Sequence, residues 1–200
     1  MIANTHQNPV RALGETLKSH KHQIEPRGPF RLDLTAWALR RHPRNAVDRW
    51  GTATYERVIS LDGGAVALSV TQLAGPDAPR LSARLAGRPI DHPADVLARG
   101  ALNRLLGLTV DLSPFSAMAT SDPLLGPLAA RMRGLRPPRF PTVFEALING
   151  VACQQLSLAV GVQLLNRLVA RSSRRPRRSW PTISTWKPFS GSRMARRSTA

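Results

Sequence analysis

The sequence predicts an α+β protein in which a small antiparallel sheet comes first and helices follow. Three observations carry this. Short runs of alternating or β-branched residues, separated by glycine and proline turns, occupy the stretch up to about residue 87. From about residue 93 the apolar spacing changes to that of an amphipathic helix. Beyond Leu108 the chain is punctuated by pairs in which a capping residue precedes proline, a helix-start signature.

In order, residues 1–27 are polar, lack sustained periodicity and run into Pro26 and Pro29, so they read as a leader. Residues 30–34 (Phe-Arg-Leu-Asp-Leu) alternate apolar and polar, as a half-buried strand should. Thr35 is placed to cap a short helix over residues 36–41, which His42 and Pro43 stop. Residues 54–60, 65–72 and 80–86 are three further strands, with turns at residues 61–64, at Gly75-Pro76 and at Gly87. Turns this short join antiparallel neighbours, because parallel ones need long crossovers. Such a sheet has one face to cover. The expected cover is a helix over residues 93–106, with Val96, Leu97, Leu102, Leu105 and Leu106 on its apolar side and Gly107 as its stop.

The second half reads as all helix. Ser113-Pro114 and Asp122-Pro123 are both starts of the cap-then-proline kind. Residues 131–139 form a linker with four arginines, Arg131, Arg133, Arg136 and Arg139. Thr142 and Glu145 make a capping box that opens a helix ending near Gln154, and residues 158–169 form another, with Val162, Leu165, Leu168 and Val169 on one side. The organisation is therefore a leader (1–27), a sheet-plus-helix domain (28–108), a helical portion (109–171) and a basic tail (172–200).

Composition narrows the chemistry. A 42% hydrophobic content is enough for a packed core, and a formal charge of +17 favours a polyanionic partner, nucleic acid before an anionic membrane. Nine basic residues and no acidic one lie from Arg171 onward, which leaves residues 1–170 at +8. Cys153 is the only cysteine, which excludes an intramolecular disulfide and a cysteine-rich zinc site. The five histidines show no paired metal spacing, and His20 and His22 are expected to be solvated in the leader. No metal or cofactor is expected. No apolar run has the length of a signal peptide core or a membrane span. An intracellular monomer is the expectation.

Residues 30–34, Trp37, residues 102–108 (Leu-Asn-Arg-Leu-Leu-Gly-Leu), residues 134–139 (Gly-Leu-Arg-Pro-Pro-Arg) and above all residues 140–157 resemble the 3-methyladenine DNA glycosylase II group of the helix-hairpin-helix DNA glycosylases. The resemblance implies a small sheet domain of TATA-binding-protein-like shape followed by the first helices of an all-α glycosylase domain. It implies base excision repair, in which an alkylated purine such as 3-methyladenine is flipped out of double-stranded DNA and its glycosidic bond is cut. Flipping leaves a hole in the stack that a side chain must fill, since unstacking costs a few kcal/mol.

By this resemblance Gln155 holds the position of that plug, with Gln154 beside it and Ser157 capping the next helix. The plain alternative is that both glutamines satisfy backbone groups at a helix end. Arg136 and Arg139, with Arg131 and Arg133, are candidates to approach phosphates, the alternative being a solvated linker face. Cys153 reads as a small core residue.

The family's catalytic carboxylate is an aspartate placed beyond a glycine-rich hairpin, and it answers the positive charge that cleavage builds on the sugar. Neither feature follows here. Glu145 is the last acidic residue of the sequence, and the capping box explains it. No catalytic residue is therefore assigned, and the chain is expected to be inactive alone, truncated or frameshifted before the hairpin. The tail, with Trp180 and Trp186 among its arginines, reads as out-of-frame translation, the rival being a real basic arm; either way it is expected to be disordered. The alternative to a glycosylase portion is a non-catalytic basic module that binds nucleic acid.

Overall fold

The computed structural model describes residues 19–61, 64–87, 92–154 and 156–173. Residues 1–18 and the tail from residue 174 lie outside them, so the expectations for those stretches do too. Among the described residues the architecture is α+β, with five strands and six helices.

Strands β1 (Ser19–Ile24), β2 (Arg49–Gly51), β3 (Thr54–Leu61), β4 (Gly64–Gln72) and β5 (Leu81–Gly87) form one antiparallel sheet in the order β1-β5-β4-β3-β2. The expected strands over residues 54–60, 65–72 and 80–86 are its centre. Alternation decides which side is buried: Tyr55 and Ile59, Val66, Leu68 and Val70, and Leu81, Ala83 and Leu85 all face the core.

Helices α1 (Leu32–Arg40) and α2 (His92–Leu106) supply residues to that same core, α1 through Leu32, Ala36 and Leu39 and α2 through Ala98, Ala101, Leu102, Leu105 and Leu106. Those α2 positions form one helical stripe. Val96 and Leu97 lie off it and are exposed, so the expectation that they pack inward is corrected. Gly107 ends α2 at φ +59, the left-handed turn a helix C-terminus favours.

Further expectations fail for physical reasons. Ser19–Ile24 is not leader but the edge strand, paired along its length with β5. His22 and Ile24 are its shielded residues, whereas Ser19, His20, Lys21 and Gln23 are exposed. An edge strand tolerates that much polarity. His22 Nε2 lies 2.7 Å from Asp95 Oδ1, so this histidine is paired rather than solvated.

Residues 30–34 are not a strand. Gln72 of β4 accepts the Leu32 N–H at 2.8 Å through its side-chain oxygen and donates to the Phe30 carbonyl at 3.1 Å, which starts α1 there. Thr35 sits inside the helix, its hydroxyl bonded back to the Arg31 carbonyl. Strand β2 had no sequence signal at all. Its two-residue turn to β3, Thr52-Ala53, has positive φ at both positions, a conformation usually given to asparagine and glycine.

Beyond α2 come α3 (Ser113–Thr120), α4 (Leu125–Arg131), α5 (Val143–Gln154) and α6 (Leu158–Ser173). Ser113 is already helical, and Asp111 Oδ1 accepts its N–H at 2.9 Å. Asp122 performs its expected role, accepting the N–H groups of Leu124 and Leu125 at 2.8 and 2.9 Å. These two bonds, to Leu125 first and then Leu124, hold its carboxyl below the usual aspartate range.

Candidate nucleic-acid interface

Helices α5 and α6, which flank the sequence-predicted glutamines, pack against each other as a hairpin. Thr142 Oγ1 accepts the Glu145 N–H at 3.1 Å and opens α5. The other half of the capping box is not made. The Glu145 carboxylate instead accepts a hydrogen bond from Arg57 Nη2 on β3, so the box alone does not explain this residue.

Arg57 is buried between Tyr55 and Ile59 on the core side of β3. Its Nη1 lies 2.7 Å from Asp48 Oδ1, which also accepts the Tyr55 hydroxyl at 2.7 Å. Burial opposes the guanidinium's charge, but Asp48, Tyr55 and Glu145 outweigh it and hold its pKa above the ordinary arginine value. Burial first, and then Asp48, pushes the Tyr55 hydroxyl well above its own.

Further along α5, Asn149 is the one residue of that helix that is buried. Its Nδ2 donates to the Glu145 carbonyl at 2.9 Å, and its Oδ1 accepts from Arg41 Nη2. Arg41 Nη1 reaches Cys153 Sγ at 3.8 Å, and its guanidinium lies 5.8 Å from the centre of the Phe140 ring. Arg41 follows the last residue of α1 and has φ +56 and ψ −33, a sparsely populated region for a residue other than glycine that costs on the order of 1–3 kcal/mol.

Helix α6 meets α5 at Gly161, where a Cβ would stand 2.6 Å from the Ala152 carbonyl oxygen and 2.8 Å from Cys153 Sγ. No side chain fits that gap. Cys153, expected as a core residue, is half-buried at this contact. Asn166 of α6 is tied to the loop after α1, accepting the Ala46 N–H at 2.9 Å and donating to the Arg44 carbonyl at 2.7 Å.

The turn between the helices is presented outward. Gln154, the last residue of α5, is exposed, as are Leu156 and Ser157; the Ser157 carbonyl accepts the Gly161 N–H at 2.9 Å and starts α6. Gln155 lies outside the described residues.

The linker arginines divide. Arg139 is exposed, as is Arg131, while Arg133 is exposed and paired with Asp77 at 2.5 Å. Arg136 is a correction. It is 1% exposed, with Nη1 donating to the Val110 carbonyl at 2.6 Å, Nη2 to the Arg27 carbonyl, and its backbone N–H to Thr35 Oγ1. Burial lowers its pKa, and its donors are turned into the fold rather than toward a phosphate. Among the described residues no group of three or more His, Cys, Asp or Glu side chains comes together, and no helix is long and apolar enough to cross a membrane.

Sequence reasoning missed Arg41, Arg57, Asn149 and Asn166. Two left a signal. With Tyr55 and Ile59 facing inward, alternation puts Arg57 inward as well. Asn149 interrupts an apolar run within its helix, where a buried amide needs a partner.

The family model described as the AlkA N-terminal domain matches residues 22–141, more than half of the chain, and the chain belongs to that family. It is 46% identical over 59 residues to a DNA-3-methyladenine glycosylase of Bacillus subtilis (strain 168), covering 30% of this chain and 20% of the relative. Its structure is similar to that of a 3-methyladenine DNA glycosylase from Archaeoglobus fulgidus, with a TM-score of 0.62 and 23% identity over 75% of this chain and 50% of the other. The chain thus spans half or less of the length of each of these relatives.

Proposed function

We propose that this chain is the DNA-holding portion of a base-excision-repair glycosylase that acts, within the cell, on alkylated purines such as 3-methyladenine. The observation that carries the reading is the α5–α6 hairpin. An arginine-tied helix ends in an exposed glutamine, and the family is one whose named relatives are 3-methyladenine glycosylases. Gln154 and Gln155 contact the duplex where the damaged nucleotide leaves the stack, and Gln155 fills the hole. A glutamine suits this because it is long, uncharged, and can bond an orphaned base or a phosphate. Arg139, exposed like Arg131, is a linker cation open to a phosphate.

The chain acts as a monomer and does not itself release the base. No acidic residue follows Glu145 in this sequence, and the Glu145 carboxylate is engaged by Arg57 rather than free to stabilise charge on a sugar. The glutamines are tested by titrating the chain with duplexes that are undamaged or carry an abasic-site analogue. The chain is expected to prefer the abasic duplex and to lose that preference on Gln154→Ala with Gln155→Ala. Equal affinity for the two duplexes would leave only a general nucleic-acid-binding module.

A further inference from the structure

We propose that Arg41 is a positioning residue for the DNA-contacting turn, holding the end of α5 from the sheet side so that Gln154 and the residues after it are presented at one fixed angle. The inference rests on the reading of that turn as the DNA contact, and it adds a role for the sheet unit.

Four observations converge on it. First, α5 has almost no apolar anchorage. Asn149 is its only buried residue, while Val143, Phe144, Leu147 and Val151 are 63–77% exposed. A helix so placed takes its position from polar ties. Second, those ties come from two arginines of the sheet unit, one at each end. Arg57 grips Glu145 in the first turn, and Arg41 grips Asn149 and Cys153 in the last two. Together with the contact to α6 at Gly161, they hold α5 at both ends. Third, Cys153 directly precedes Gln154, so the guanidinium acts one residue from the turn.

Fourth, the backbone of Arg41 is in a region that glycine occupies at little cost and arginine does not. A side chain kept in such a place is one that is used there. Its partner is also preset. Asn149 donates its amide N–H to the Glu145 carbonyl, which turns the amide oxygen toward Arg41.

The backbone supplies a clean test, because Arg41→Gly deletes the guanidinium while relieving the positive φ. We expect Arg41→Gly to unfold within about 4 °C of the unsubstituted chain. Its affinity for undamaged duplex should stay within about twofold, since phosphate contacts lie elsewhere. Its preference for a duplex with an abasic-site analogue should fall about tenfold, as small misplacements of a contacting group do. Asn149→Ala, which removes the acceptor from the other side, should give the same loss without adding to it when combined. Arg41→Lys, which keeps one donor for Asn149, should restore part of the preference.

A preference that survives Arg41→Gly and Asn149→Ala overturns the inference. So does an equal loss of binding to both duplexes, which would mark a merely structural tie. A chain that shows no preference before any substitution fails at the reading of the turn, and the inference falls with it.

Discussion

Arg57 and Arg136 are both buried, and each illustrates how a charge changes its meaning with its surroundings. Arg57 bridges Asp48 and Glu145, and removing one partner of a buried pair leaves an uncompensated charge. Asp48→Ala should therefore destabilise the chain by about 3–5 kcal/mol, measured by denaturant unfolding, and it also strips the Tyr55 hydroxyl of its acceptor. Arg136 belongs to the fold and Arg139 to the surface, so their substitutions should separate. Arg139→Ala should reduce the salt slope of duplex binding by about 1 with little change in stability. Arg136→Met should lower stability and leave the salt slope as it was. A single arginine-rich linker could not be divided this way from sequence, because composition is the same for a buried and a solvated guanidinium. Packing against Val110 and Arg27, more than 25 residues distant in either case, decides it.

Elements were legible where local signals agreed with the tertiary outcome. The central strands carried alternating or β-branched residues, α2 carried periodicity and a stop, α5 a capping box at its start, and α6 periodicity. The failures lie where a distant group overrode the local pattern. Gln72 started α1 inside a run that also read as a strand, and β5 recruited Ser19–Ile24 to the sheet edge. At Gly161 the requirement is a close approach that sequence periodicity does not reveal. Gly161→Ala should force α5 and α6 apart at a destabilisation of about 1–3 kcal/mol, read as a lowered unfolding midpoint.

Helix α4 offers a test by pH. The Asp122 carboxyl is depressed in the folded chain, so its contribution is complete above the ordinary aspartate range. It is lost as the pH falls through that range and below. Acid unfolding of Asp122→Ala should accordingly show a smaller dependence on pH there than the unsubstituted chain.

At the scale of the whole molecule, a positive charge and an uncovered apolar surface occur together. The core of the sheet unit is closed by α1 and α2, whereas Phe115, Met118, Leu124 and Leu128 on α3 and α4 and their flanks, and the outer face of α5, are open. Exposed apolar area on this scale is unusual in a folded chain. It should register as strong binding of a hydrophobic dye that duplex DNA does not displace. The proposal of a polyanionic partner draws on charge and composition, which are global properties that a sequence displays directly. The way α5 is held was not legible there, because it depends on Arg41 and Arg57 reaching partners about ninety residues or more away.

The most direct measurement incubates the purified chain at low salt with duplex DNA carrying 3-methyladenine, and follows bound duplex and released base in the same sample. Binding that weakens steeply with salt, with no base released, is the predicted result. Release of 3-methyladenine would contradict the proposal that this chain holds DNA without chemistry, and would turn attention to Glu145 and Asp122 as the acidic residues nearest in sequence to the proposed contacting turn.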